Sequence, residues 1–240
     1  MTQRLHAGLP SLRHADEIEV IRNAISETAE RDGFRIVHFS VQSNHVHYVC
    51  EARDPGCLTS GMRSLAIKLA RRLNGLWKRT GAVFAERFHA RALTKPTEVR
   101  HAISYVLKND RKHWIISDGI DPFSSGPWFD GWTPDKVSTN VRSRGSTGEA
   151  SMSTRAREVD RLRARPVPTA AALTWLLRVG WRRLGLIDRR EVPGSRAVKR
   201  ARAREEARSL DSIQRSLTAA ARSALERRVA TDIPRPRRPG

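Results

Sequence analysis

Residues 34–52 impose the tightest constraint on how this chain folds. Phe34–Ser40 (FRIVHFS) and His45–Ala52 (HVHYVCEA) are rich in β-branched and aromatic residues, and the polar Gln42-Ser43-Asn44 separates them. Two strand-forming runs joined by so short a polar turn predict an antiparallel hairpin. Residues two apart on a strand project from the same face, so His45 and His47 point together while Val46 turns into the core. Tyr48 alternates away from His47 and is expected in the core or behind the histidines.

The flanking segments predict what covers this hairpin. Residues 14–31 carry Ile18, Ile21, Ile25 and Ala29 at helical spacing, with Asp16 and Glu17 where the helix dipole favours acids. Asp32-Gly33 should end that helix. Asp54-Pro55-Gly56 breaks the chain after the hairpin, and 58–79 predicts a second helix on the stripe Leu65, Leu69, Leu73 and Leu76. Val83–Leu93 (VFAERFHARAL) alternates as a strand, with Arg87, His89 and Arg91 on one face. Pro96 then opens a helix expected to reach about Arg111, with Glu98 in its first turn. Helix, hairpin, helix, strand and helix together predict an α+β fold, one antiparallel sheet covered by helices.

Beyond residue 115 the character changes. DPFSSGPWFDGW (121–132) reads as an aromatic-rich loop packed onto the domain, and 133–168, rich in Ser, Arg and Gly, reads as a flexible linker. Residues 169–187 predict a short apolar helical segment. The remainder is basic with helical potential around 196–230 and ends in PRPRRPG, expected to be disordered. The division expected is therefore a domain over 1–132, a linker over 133–168 and a basic, partly helical extension over 169–240.

Charge narrows the partners. Forty-five basic residues against 25 acidic ones give a formal charge of +20, which fits a polyanion, nucleic acid before an anionic membrane. No apolar run is long enough to span a bilayer, and the N-terminal residues lack a signal-peptide core, so a cytoplasmic location is expected. Cys50 and Cys57 form no C-x-x-C pair, consistent with a reducing compartment.

Two local features carry candidate chemistry. His45 and His47 on one strand face have the arrangement of two ligands to one divalent metal, although paired strand histidines also serve as packing or surface residues. On the helix from Pro96, the apolar positions are Val99, Ala102, Ile103, Val106 and Leu107, and Tyr105 and Asn109 lie one turn apart on the flank of that stripe. Tyr105 could present its hydroxyl to a metal site on the sheet with Asn109 as an oxygen ligand; equally, they could be a boundary aromatic and a helix-end residue. Arg87, His89 and Arg91 are candidates to grip a nucleic-acid backbone, as are Lys68, Arg71 and Arg72, whose simpler reading is a solvated helix face. His101 reads as a surface histidine.

Taken in order, QSNHVHYV followed by AISYVLKN resembles the single-tyrosine HUH transposases, and more closely their REP-associated tyrosine transposase branch. GMRSLAIKLARRLN matches the helix after the hairpin and VFAERFHARAL the strand before the tyrosine helix, so the resemblance covers roughly residues 2–115. PFSSGPWFDGW and TWLLRVGWRRLGLI resemble an extension of one bacterial subgroup. The resemblance implies a ferredoxin-like, RRM-like sheet and a DNA transposase that cleaves and rejoins single-stranded, hairpin-containing DNA. Tyr105 would be the nucleophile of a 5′-phosphotyrosine intermediate, with Mg²⁺ or Mn²⁺ held by His45, His47 and Asn109, in a monomer or homodimer acting at the nucleoid.

One departure stands out. The family's sheet begins with a full central strand, and here only Met1–Leu5 precede the GLPSLR turn, so that strand is expected to be shortened or to begin upstream of this Met1. Two rival readings are a non-catalytic nucleic-acid-binding module on the same fold and a metal-dependent phosphoesterase that uses water as nucleophile.

Overall fold

The computed structural model describes residues 1–109, 119–134, 148–189 and 191, all within one compact unit, Met1–Pro193. The basic segment after Glu191 and the last two residues of the expected Tyr105 helix, 110 and 111, lie outside the described residues. Four strands form one antiparallel sheet in the order β1-β4-β3-β2. They are β1 (Thr2–Arg4), β2 (Glu30–Arg31), β3 (Phe34–Val41) and β4 (His45–Ala52). The predicted hairpin is β3 and β4, paired from Phe34↔Ala52 to Val41↔Val46 with one irregularity between Ile36 and His38.

Alternation divides the sheet into two faces. Phe34, Ile36, Phe39, Val46 and Tyr48 are buried in a core shared with α1 (Ala15–Ser26) and α2 (Pro55–Leu76). Helix α1 contributes Ile18, Ile21, Ala24 and Ile25, and α2 contributes Met62, Leu65, Leu69 and Leu73, all at helical spacing. Burying each such side chain is worth about 1.5–3 kcal/mol. Gly61 lets α2 approach the sheet closely, because a Cβ there would lie 2.3 Å from the Phe34 ring.

The helix boundaries differ from the sequence expectations for identifiable reasons. Helix α1 stops at Ser26 rather than near residue 31, because Glu30 and Arg31 pair with Arg35 and Phe34 across Asp32-Gly33, where Gly33 adopts φ +68°. Helix α2 starts three residues earlier than expected. Asp54 caps it by accepting from the Cys57 amide at 2.8 Å, and Pro55 occupies the first turn, so the supposed breaker is a start signal.

The first strand is three residues long and occupies the interior of the sheet. β1 pairs with β4 (Thr2↔His47, Gln3↔Val46, Arg4↔His45) and on its other side meets the segment 84–89. That segment is not the continuous strand expected over Val83–Leu93. Isolated bridges join Leu5 to Phe84 and Thr2 to His89, so five residues' advance on one chain opposes three on the other. The resulting bulge breaks the alternation that would have aligned Arg87, His89 and Arg91, and all three side chains are exposed. With that edge included, the order around β1 is the one expected of a ferredoxin-like sheet.

The second sheet face is covered by α3 (Pro96–Leu107) and by the C-terminal extension. Helix α3 ends at Leu107, short of Arg111, with Lys108 as its C-cap. Its Val99, Ile103 and Leu107 pack with Ile120, Phe129, Trp132, Trp181 and Ile187. Within the expected linker, Gly148–Arg163 is a helix, α4, anchored by buried Val159 and Leu162. Its few apolar positions left too little periodicity to read. The apolar segment 169–187 is not one helix but α5 (Trp175–Arg178) and a 3₁₀ segment, Gly180–Leu184.

The extension also closes the open edge of β3. Val41 N donates to Phe123 O at 2.8 Å, Ser125 N to Phe39 O at 3.0 Å, and Ala170 N to Ile36 O at 2.9 Å. These bonds satisfy an edge that would otherwise template aggregation. Asp121, fully buried, receives both Arg13 guanidinium nitrogens at 2.9 and 2.8 Å and Arg155 at 3.3 Å. Arg100 of α3 reaches the carbonyls of Gly185 and Leu186 and the Glu191 carboxylate, while Lys108 Nζ donates to Asp188 O and Arg189 O. The extension therefore grips the tyrosine-bearing helix at both ends.

Candidate active site

The site is assembled where β1, β4 and α3 meet. Strand alternation places His45 and His47 on the face opposite the main core, and both are buried. Their Nε2 atoms lie 3.0 Å apart and their rings meet edge to face, with centroids 4.6 Å apart. Tyr105, half-buried on α3, stands against His47 with ring centroids 5.2 Å apart at 74°. The sequence-predicted pair and the predicted tyrosine are thus brought together.

Each histidine is held through its other nitrogen. His45 Nδ1 lies 2.8 Å from Asn44 Oδ1, and His47 Nδ1 lies 2.8 Å from Thr2 Oγ1. Thr2 and His47 are cross-strand partners, so β1 supplies the hydroxyl directly. Arg4 is the partner of His45 on the same face and is exposed. Sequence reasoning missed Thr2, Arg4 and Asn44 as site residues. Asn44 stood beside the motif and was read as a turn, whereas Thr2 and Arg4 became neighbours only through the β1–β4 register.

Asn109 is fully buried, and neither amide atom has a hydrogen-bond partner among the described residues. An orphaned buried carboxamide is costly, by about 1–3 kcal/mol, and such groups call for a ligand. The donor set fits a hard divalent ion. Ligands about 2.1 Å from such an ion at neighbouring octahedral positions lie roughly 3 Å apart, the separation of the two Nε2 atoms. Among the described residues no cluster of three His, Cys, Asp or Glu side chains that could hold a metal ion occurs.

The other candidates separate. Lys68 and Arg72 bind Glu27, the C-cap residue of α1, on the opposite side of the sheet from the histidines. Arg71, on the same helix, is exposed. His89 pairs with Glu86 and Arg91 with Glu98, while His89 also bridges Thr2 through the backbone. His101 is exposed, as expected. Tyr48 is fully buried on the core face and burial pushes its phenol upward, so of the chain's two tyrosines only Tyr105 faces the histidines.

Residues 11–109 match the family described as Transposase IS200 like. The matched stretch includes His45, His47, Tyr105 and Asn109. A solved structure titled "Structure of the REP associates tyrosine transposase bound to a REP hairpin" aligns at 22% identity with a TM-score of 0.43, covering 52% of this chain and 73% of that one. No curated protein matches the chain. Among the described residues, no helix is long and apolar enough to cross a membrane.

Proposed function

We propose that this chain is a transposase of the family that residues 11–109 match, and that it cleaves and rejoins single-stranded DNA through Tyr105. The observation that carries the reading is the edge-on stacking of Tyr105 against His47, which puts the phenol beside a buried pair of convergent imidazoles. Tyr105 Oη attacks a backbone phosphorus and a new P–O bond forms. The P–O3′ bond breaks, the 3′ oxygen takes up a proton, and the phenolic proton leaves to solvent. The strand is then held as a 5′-phosphotyrosine, and attack by a 3′-hydroxyl on that linkage reverses the step without an energy cofactor.

His45, His47 and Asn109 would hold a divalent metal, Mg²⁺ or Mn²⁺, which when bound supplies Lewis-acid polarisation of the phosphate oxygens. The chain's own residues do the rest. Arg4 offers an exposed guanidinium beside His45 for backbone phosphate, and the extension fixes α3 so that Tyr105 keeps its place. The formal charge of +20 favours a polyanionic partner. A hairpin is the favoured substrate because it offers both a defined backbone and unpaired bases to stack.

The test is incubation of the full chain with a labelled hairpin-containing single strand and Mn²⁺. A denaturation-resistant protein–DNA adduct that disappears in Tyr105→Phe is expected. Cleavage without an adduct under any metal condition would transfer the reading to a water-using phosphoesterase. Binding with neither cleavage nor adduct would leave a nucleic-acid-binding module.

A further inference from the structure

Exposed large apolar side chains concentrate in one stretch of the extension. Among the described residues, all of them except Ile67 and Leu76 lie within 167–186. A patch of this kind marks a binding surface more often than an idle one. Its charge is one-sided, because 166–187 contains Arg178, Arg182 and Arg183 and no acidic residue. Arg182 is tied to Asp130, whereas Arg178 and Arg183 are exposed and have no carboxylate partner among the described residues.

Trp175 sits within this patch. Trp77, Trp128, Trp132 and Trp181 each donate their indole N–H to a carboxylate or carbonyl of the protein. Trp175 is 49% exposed, and its indole N–H makes no such bond among the described residues. The ring is nevertheless held in place. A Cβ at Gly180 would lie 2.7 Å from its Cζ3, so the indole rests against the backbone of the 3₁₀ segment. The Arg183 guanidinium stands over the ring, 5.1 Å from its centroid, and Arg178 follows three residues along α5.

The patch is anchored to the sheet face that carries the histidines. Leu173 N and Thr174 N each donate to the Glu51 carboxylate at 2.8 Å, and Glu51 alternates in step with His45 and His47 on β4. From His45 to Glu51 is about 20 Å along the strand. Just beyond Arg183, the Gly185 and Leu186 carbonyls are held by Arg100 of the tyrosine-bearing helix.

We propose that Trp175, Arg178 and Arg183 form a ledge that binds unpaired bases in the flank of the single strand whose phosphate lies at Tyr105. A base stacks on the indole or on the guanidinium plane, and the arginines meet the backbone phosphates. The free indole N–H donates to an oxygen of the same strand. A symmetric contact between two copies of the chain would instead set these arginines against their own kind. This inference rests on the reading of the chain as acting on single-stranded DNA.

The experiment compares the affinity of the full chain for two labelled strands, a hairpin with unpaired flanks and the same hairpin with the flanks trimmed away. Trp175→Ala should weaken binding of the flanked strand by roughly 5–100-fold, the usual loss for a removed stacking partner, and leave the trimmed one within about twofold. Trp175→Phe should keep most of the flank's contribution. Arg178→Gln and Arg183→Gln should each lower the salt slope on the flanked strand by about one. Photocrosslinking of the wild type to strands with halogenated uracil in the flanks, read by mass spectrometry, should mark Trp175 and depends on no variant's folding. Crosslinks that bypass residues 173–183 would overturn the proposal, as would flanked-strand binding by Trp175→Ala equal to wild type. Self-association, or binding to anionic lipid vesicles, that requires Trp175 while flank binding does not would overturn it too. Each of these results is compatible with a Tyr105 adduct. A chain that binds neither strand and forms no adduct would instead sink the single-strand reading itself.

Discussion

The Tyr105 ring meets the His47 imidazole edge-on, at a centroid distance of 5.2 Å and an interplanar angle of 74°. The contact joins two segments that share no local pattern, a strand with period two and a helix with period 3.6. It also gives Tyr105 a packing role that must be separated from its chemistry. Tyr105→Phe retains the ring and should change stability by no more than about 0.5 kcal/mol, while Tyr105→Ala also removes the aromatic contact and should cost about 1 kcal/mol more. Both should fail to form an adduct. Equal stability of the two variants in urea denaturation would show that the ring contact contributes nothing.

The docking of α2 on the sheet rests on a position without a side chain. A Cβ at Gly61 would lie 2.3 Å from the Phe34 ring, which is itself buried between sheet and helix. Gly61→Ala should gain helix propensity of roughly 1 kcal/mol, yet lose more to overpacking, typically 1–3 kcal/mol. A net loss of stability is expected, and a more stable Gly61→Ala would mean that Phe34 moves aside freely.

What was legible in the sequence follows from the range of the interactions concerned. The β3–β4 hairpin was readable to within a residue because alternation and a polar turn are local, and the facing of His45 and His47 followed from it. The stripes of α2 and α3 were readable for the same reason, except that Leu76, expected in the α2 stripe, is exposed at the end of the helix. The bulge opposite β1 was not, because it depends on which residues of 84–89 meet Thr2 and Leu5. Thr2 lies 45 residues from His47 and Arg13 lies 108 from Asp121, so neither pair leaves a trace in spacing. Asp54-Pro55 was seen but misjudged, since the pair that breaks one element also begins the next.

Asp121 holds the extension to the sheet and its helices through a fully buried carboxylate. Arg13 donates to it twice and also to Val41 O, so one arginine ties the chain before α1, the end of β3 and the extension together. Asp121→Ala would leave two guanidinium groups without their buried partner, a change that typically costs 3–5 kcal/mol, so a loss of roughly that size is expected. Protease cleavage should appear first within the extension. A variant as resistant as wild type would show that the extension stays docked without this link.

His38 should make stability depend on pH. Burial lowers its pKa to about 4, with Asp130 opposing the shift and Arg182 adding to it, against about 6.5 in an unfolded chain. Between these values the unfolded chain binds more protons than the folded one, so this contribution favours folding least in acid. Stability should be complete above about pH 6.5 and fall through the window toward pH 4, by up to roughly 3 kcal/mol. His38→Leu should flatten that slope by about one proton in urea titrations at pH 7 and pH 4.5. An unchanged slope would assign the dependence to other groups.

Asn109 offers the sharpest separation of function from folding. Its side chain is fully buried and neither amide atom finds a partner among the described residues, so it burdens the metal-free fold. Replacing it with the similar-sized Leu removes that unsatisfied pair, and metal-free Asn109→Leu should be more stable than wild type by about 1–2 kcal/mol. Added Mn²⁺ should raise the melting temperature of the wild type, because a ligand that binds only the folded state stabilises it. It should raise that of Asn109→Leu little or not at all. The order of the two proteins should therefore narrow or reverse as Mn²⁺ is added. A polar residue kept at a cost to the fold is expected where a site requires it, and a destabilised Asn109→Leu in the absence of metal would mean that the carboxamide serves packing instead.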